Sequence, residues 1–211
     1  VLTWIDAEKI EHDGAAAHIK EVDGIIVPGG FGSRGVEGKI KAAAFARKTG
    51  LPYLGLCLGM QVAVIAVARD VLKDPKANTM EINPKAKNLV IALMDEQRHI
   101  VAKGGTMRLG DYPCKLAPDS KSAQAYGATD IKERHRHRYE FNNQYREPLA
   151  AAGLQVVGTS PDDKLVEVIE LADHPFFVAS QFHPEFTSRP NRPQPLFNAF
   201  IQAAKSLKKT R

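Results

Sequence analysis

The sequence predicts an α/β fold, a doubly wound and mainly parallel sheet with additional antiparallel strands. Three observations predict it. Short apolar runs alternate with helical stretches through the first 72 residues, joined by short links. Glycine-rich turns stand at the ends of those runs, where an open sheet presents its loops. Beyond residue 150 strand-like runs follow one another, separated by turn residues rather than helices. The 211 residues, 44% hydrophobic and 25% charged, suffice for one core and one domain spanning 1–211.

Each element follows from its pattern. "VLTWI" (Val1–Ile5) reads as a strand, and a partly polar helical stretch follows to about Glu21. "GIIVPGGFG" (Gly24–Gly32) is an apolar run that ends in a glycine-rich loop. Val36–Gly50 has helical spacing and a glycine stop. "PYLGLC" is a strand entered through Pro52, and Leu58 to about Leu72 is the next helix. Short strand-like pieces fill Leu89–Lys115, including the glycine pair of "KGGTMRLGDYPCKL". Further strands are expected at Gly153–Thr159, Lys164–Leu171 and Phe176–Phe182. The second of these, "LVEVIEL", reads as a half-exposed antiparallel strand, and "SPDDK" before it makes a hairpin turn. "SRPNRPQP" (Ser188–Pro195) is a rigid loop before a last helix from Leu196 to about Leu207.

Composition narrows the function. No run approaches the ~20 apolar residues of a membrane span, and the first residues lack the basic flank and apolar core of a signal peptide. Two cysteines, Cys57 and Cys114, do not make a disulfide framework, so a reducing cytoplasm is expected. The net charge of +5 is concentrated in "ERHRHRYE" (Glu133–Glu140) and in the tail "KSLKKTR", which reads as a solvated helix end. Alternation places Arg134, Arg136 and Arg138 on one face of the first cluster and His135 and His137 on the other. Alone, the cluster reads by default as a solvated charged strand, with a polyanion-binding patch as the alternative. The two histidines lack a third ligand at suitable spacing, so no metal is expected.

The chemistry is concentrated in three loops at the ends of predicted strands. In "GLCLGMQ" (Gly55–Gln61), Cys57 occupies a strand-to-helix bend. Such a bend exposes a nucleophile, and a helix N-terminus favours the thiolate. The flanking glycines are expected to allow strained angles and close approach of a ligand. A buried structural cysteine is the alternative. "PGGFGSRG" supplies backbone N–H groups at Gly29 and Gly30, and Leu58 supplies another just after the cysteine; together they make an oxyanion hole. "QFHPEF" (Gln181–Phe186) places His183 and Glu185 two apart, on one side of an extended segment stiffened by Pro184. A thiol, a base and a group to orient the base are the parts of a cysteine triad.

"PGGFGSRG", "GLCLGMQ" and "QFHPEF" resemble the signature segments of triad-type (class I) glutamine amidotransferases, whose sheet is flavodoxin-like. With "GGTMRLGDYPCKL", "ERHRHRYEFNN" and "HPEFTSRP" they resemble, more narrowly, the glutaminase domain of CTP synthase, from about Asp23 to Phe200. The resemblance implies Cys57 as nucleophile, His183 as general base and acid, and Glu185 as its orienter. It implies Gly30, Leu58, Gly59, Met60, Gln61, Glu81 and Arg138 as the residues that hold L-glutamine. A carboxylate for the ammonium and a guanidinium for the carboxylate of that substrate make chemical sense. Other cysteine hydrolases on a similar sheet, or a non-enzymatic basic binding module, are the competing readings.

The same resemblance sets expectations beyond this chain. The complete enzyme carries an N-terminal synthetase domain using ATP, Mg and UTP, with GTP as activator and a homotetrameric assembly; no cofactor is expected in this domain, and no nucleic acid or membrane partner. Such glutaminase domains open with another strand and helix, so the sheet here is expected to be incomplete. "SRGVEGK" (Ser33–Lys39) falls beside the glutamine pocket, which makes Arg34 a candidate for transmitting GTP binding. An arginine at a helix start asks for an anionic partner, Glu37 or a ligand. Ala66–Val67 replaces an acidic-aromatic pair of the family in what reads as an exposed helix feature. Cys114, beside Pro113 in a strand-like run, reads as structural.

Overall fold

The computed structural model describes residues 1–93 and 107–210. The first part of "GGTMRLG", residues 104–106, lies outside the described residues.

The helical opening splits at Gly14 (φ 84°) into α1 (Ala7–Asp13), capped by the Asp6 carboxylate, and α2 (Ala15–Ile19). Strand β1 (Ile25–Val27) leads into the glycine loop and α3 (Val36–Thr49), which Gly50 stops with φ 73°. Next come β2 (Tyr53–Leu56) and α4 (Leu58–Val71). A mixed stretch follows, with β3 (Asn78–Thr79), β4 (Leu89–Ala92), β5 (Arg108–Leu116), α5 (Lys121–Tyr126), β6 (Asp130–His137) and β7 (Glu140–Phe141). Then come α6 (Arg146–Ala150), the predicted hairpin of β8 (Leu154–Thr159) and β9 (Val166–Leu171), β10 (Phe177–Ser180) and α7 (Pro195–Thr210).

Seven of these strands form one sheet in the order β1-β2-β10-β9-β8-β5-β6. The first three run parallel; from β9 onward every pairing is antiparallel. The small strands β3, β4 and β7 make a second sheet. Alternation along β2 divides the core into two layers. Tyr53 faces α3 and α4, stacked on Phe177 of β10 at 4.4 Å, while Leu54 and Leu56 face Leu196 and Phe200 of α7. With both faces covered, β2 and β10 are buried at every position, and their carboxyl ends open at one edge of the sheet.

Three sequence expectations change. Val1–Ile5 forms no strand; Val1, Leu2 and Trp4 are exposed, and β1, with Ile26 39% exposed, ends the sheet. An apolar strand needs a ladder partner, and among the described residues this segment has none; only Ile5 packs against the core. Strand β9 is antiparallel but not half-exposed: all six residues are buried. Its two glutamates fall three apart, hence on opposite faces, and each is received by partners inside the fold. Glu170 accepts the N–H groups of Lys121 and Ser122 and the Ser122 hydroxyl at the start of α5. Finally, Ala66 and Val67 are buried, because α4 runs between the sheet and its covering helices and hides every residue from Leu58 to Ala68. Positions 66 and 67 therefore belong to the core and are not an exposed helix feature.

Candidate active site

The carboxyl ends of β1, β2 and β10 deliver the three loops singled out by sequence to one place. Cys57 links β2 to α4 with φ 50° and ψ −101°, a backbone conformation rare for any residue with a Cβ. Its N–H donates to the Ser180 carbonyl at 2.7 Å, which ties the bend to the end of β10. The glycines on either side do different work from that expected. Neither has a positive φ. A Cβ on Gly59 would lie 2.0 Å from the Val27 carbonyl oxygen, and one on Gly55 would lie 2.7 Å from the Gly59 backbone. They let the helix start press directly against β1 and β2, and Cys57 itself carries the strain.

His183 is 6% exposed and follows the end of β10. Its Nδ1 lies 2.6 Å from Glu185 Oε1, so the carboxylate fixes the tautomer with the proton on Nδ1. Nε2 is buried and has no hydrogen-bond partner among the described residues. The ring stacks on Phe186, 4.8 Å away with planes 8° apart. A Cβ on Gly29 would lie 2.7 Å from His183 Cε1 and 3.5 Å from the Cys57 Cβ, so the double-glycine loop touches both side chains. The Gly30 N–H has no hydrogen-bond partner among the described residues. A Cβ there would meet Leu58 Cδ2 at 3.3 Å.

Burial pushes the Cys57 thiol up to about 12. The Leu58 N–H pulls it down, while Glu185, Glu140 and Glu81 push it further up. Expectation from the helix N-terminus alone favours the thiolate; desolvation and three carboxylates outweigh that pull. The resting group is the thiol, and its proton needs an acceptor during reaction. Cys114, 1% exposed on β5, is also pushed up by burial, and Glu167 and Glu133 push it the same way.

The remaining candidates distribute unevenly. Leu58, Gly59 and Met60 are buried in the first turn of α4. Gln61 is tied inward, its Nε2 donating to the Tyr139 carbonyl at 3.2 Å and to Gln181 Oε1 at 3.3 Å. Glu81, half-buried, accepts the Gly32 N–H at 3.1 Å and so braces the glycine loop. Arg138 is half-buried just past β6. Arg34 does not pair with Glu37: it is exposed and bonds Glu8 at 2.8 Å, while Arg69 takes Glu37 in a bidentate pair at 2.6 and 2.8 Å.

Sequence reading missed a buried ionic cluster beside this site. Arg108 on β5 lies 2.8 Å from Glu167 on β9 and 3.4 Å from Glu140 on β7. His137 Nε2 lies 2.8 Å from Glu140, and His135 Nδ1 lies 3.7 Å from Glu167. The inward alternation of His135 and His137 was legible; the buried partners on three other strands were not.

A family model described as glutamine amidotransferase class-I matches residues 2–203. CTP synthases of Picosynechococcus sp. and Moorella thermoacetica are each 60% identical over 203 residues, 96% of this chain. The chain spans only 37% and 38% of their lengths. Among solved structures, the glutaminase domain of Trypanosoma brucei CTPS with bound acivicin superposes with a TM-score of 0.91 at 40% identity, covering 98% of this chain and 81% of that one. A glutamine amidotransferase from Thermotoga maritima shares the fold with a TM-score of 0.53 at 16% identity, covering 91% of this chain and 66% of that one.

Proposed function

The chain belongs to the class I glutamine amidotransferases, and among them to the glutaminase domains of CTP synthase; on that premise we propose that it hydrolyses L-glutamine to glutamate and ammonia through Cys57, His183 and Glu185. One observation carries the reading. An imidazole oriented by a carboxylate at 2.6 Å keeps a buried, unpartnered Nε2 and shares the Gly29 backbone with a cysteine at a helix start.

In this mechanism His183 Nε2 takes the Cys57 proton as sulfur attacks the carboxamide carbon. A thiol held near 12 requires such transfer at neutral pH. The carbonyl oxygen becomes an oxyanion received by the N–H groups of Gly30 and Leu58, each of the kind whose loss costs ~10²–10³ in rate. His183 returns the proton to nitrogen, ammonia leaves, and a glutamyl thioester forms. Water, deprotonated by the same imidazole, then attacks the thioester; glutamate departs and the thiol is restored. Arg138 and Glu81 hold the α-carboxylate and α-ammonium of glutamine, assisted by the backbone of residues 58–61. The ammonia serves the ATP-dependent amination of UTP on the synthetase portion of the longer protein, where ATP, Mg and UTP act and GTP activates.

Labelling this chain with a glutamine-mimicking electrophile, and in parallel with the acivicin bound by the trypanosomal neighbour, tests the reading. Mass mapping is expected to find the adduct on Cys57 and none on Cys114. His183→Ala is expected to slow labelling at least ~100-fold. Equal modification of both cysteines, or of Cys114 alone, would falsify the assignment.

A further inference from the structure

Glu185 is a poor anchor by itself. Its side chain is 38% exposed, and its hydrogen bond is to the imidazole it must orient. A solvated carboxylate fixes a ring only if the backbone beneath it is fixed. That backbone is a single 3-10 turn, Pro184–Phe186, closed by the Phe186 N–H to the His183 carbonyl and the Thr187 N–H to the Pro184 carbonyl. Both ends of the turn are stapled to adjacent residues of β6. At the front, the His183 N–H donates to the Arg134 carbonyl at 2.8 Å. At the rear, the Thr187 hydroxyl lies 3.0 Å from Glu133 Oε2 and 3.1 Å from the Pro184 carbonyl.

Glu133 is a carboxylate buried to 4% exposure whose bonded partners among the described residues are all neutral. Its Oε1 accepts the Tyr126 hydroxyl at 2.7 Å and Gln194 Nε2 at 2.9 Å. Tyr126 and Gln194 also bond each other, and the Gln194 carbonyl oxygen accepts the Leu196 N–H at the start of α7. One buried side chain therefore joins α5, β6, the approach to α7 and the rear of the triad turn. A charge is costly to bury without a cation, and three donors on two oxygens hold this one in a single geometry.

We infer that Glu133 is a positioning residue for the triad, setting the orientation of Glu185, and through it of His183, by way of the Thr187 hydroxyl. This rests on the proposed glutaminase reading. A positioning role places its effect on the covalent step and leaves glutamine binding intact, since Glu133 touches neither the thiol nor the proposed substrate ligands.

The test measures kinact and KI for Cys57 labelling by the glutamine-mimicking electrophile, a readout that does not require efficient turnover. Glu133→Ala and Thr187→Val are expected to lower kinact at least tenfold with KI within twofold of the parent. Thr187→Val removes one oxygen at constant shape and keeps the test open should Glu133→Ala fail to fold. Glu133→Gln is expected to recover to within threefold of the parent, because its amide oxygen still accepts Tyr126 and Gln194 while its NH₂ donates to the Thr187 hydroxyl. Unchanged kinact in Thr187→Val, a loss seen in KI instead, or Glu133→Gln as slow as Glu133→Ala each overturns the inference. His183→Ala separates the two levels. If it labels at the parent rate the triad reading itself fails; if it is slow while the Glu133 and Thr187 variants are fast, only the positioning role fails.

Discussion

Strands β2 and β10 bury Tyr53, Leu54, Phe177 and Val178, and the helix start after β2 lies so close that no Cβ fits at Gly55 or Gly59. At the other end of the same sheet, β5 and β6 bury Arg108, His135 and His137 against the glutamates of β7 and β9, and Glu133 among Tyr126, Thr187 and Gln194. The parallel half fixes the proposed nucleophile, Cys57, by apolar packing and backbone contact. The antiparallel half fixes the turn that carries His183 and Glu185 by buried polar bonds. A packed apolar region tolerates a changed volume by shifting slightly, whereas a buried ion deprived of its partner has no cheap response.

The sharpest way to break this contrast is Glu167→Ala, which strips Arg108 of its 2.8 Å partner. We expect a loss of about 4 kcal/mol in denaturant unfolding. The double change of Arg108→Met with Glu167→Leu should lie nearer the parent than either single change. A Glu167→Ala protein as stable as the parent would show that the cluster is not the anchor of its half. The counterpart in the parallel half is Gly59→Ala, whose methyl would meet the Val27 carbonyl at 2.0 Å. It is expected to cost about 3 kcal/mol, with Cys57 labelling slowed in whatever fraction folds; full stability and reactivity would show that the bend has slack.

Acid sharpens the comparison further. Burial holds His135 well below its ordinary value of 6.5, at about 2, with Arg108, His137 and His183 pushing the same way while Glu167 faces it from β9. The unfolded chain therefore binds a proton below pH 6.5 that the folded chain refuses, and stability falls as pH drops through that value. By about pH 5 the loss from this group is about 2 kcal/mol. His174, lowered by its own burial, adds in the same direction. His135→Asn should flatten the unfolding midpoint between about pH 6.5 and 5, and an unaltered slope would remove His135 from the account. The smallest effect belongs to Arg34→Ala. The guanidinium is exposed and its partner Glu8 sits on the surface, so the thermal midpoint should stay within measurement error.

The parallel half was the legible half. Its strands are short apolar runs bounded by glycine and proline, α3 stops at Gly50, and the cysteine, histidine and glutamate sit at strand ends where chemistry is expected. The buried cluster was harder to read because a charged residue in a strand looks solvated until a partner from a distant strand is known. Glu167 and Glu170 make β9 look half-exposed, yet they lie on opposite faces and are received by Arg108 and by the start of α5. The thiol showed the same limit. The helix N-terminus beside Cys57 is local and legible; the burial and distant carboxylates that outweigh it are tertiary.

The left-handed backbone at Cys57 bears on how this protein responds to selection. Its φ of 50° with ψ of −101° suits glycine best, and a residue with a Cβ held there costs about 1–3 kcal/mol. Cys57→Gly should therefore melt no lower than the parent, despite the extra freedom it gives the unfolded chain. A thermostability screen blind to turnover would then favour the one replacement that abolishes the thiol. Position 57 is a place where heat resistance and the proposed catalysis pull in opposite directions, and directed evolution of this domain for robustness needs an activity gate at every round.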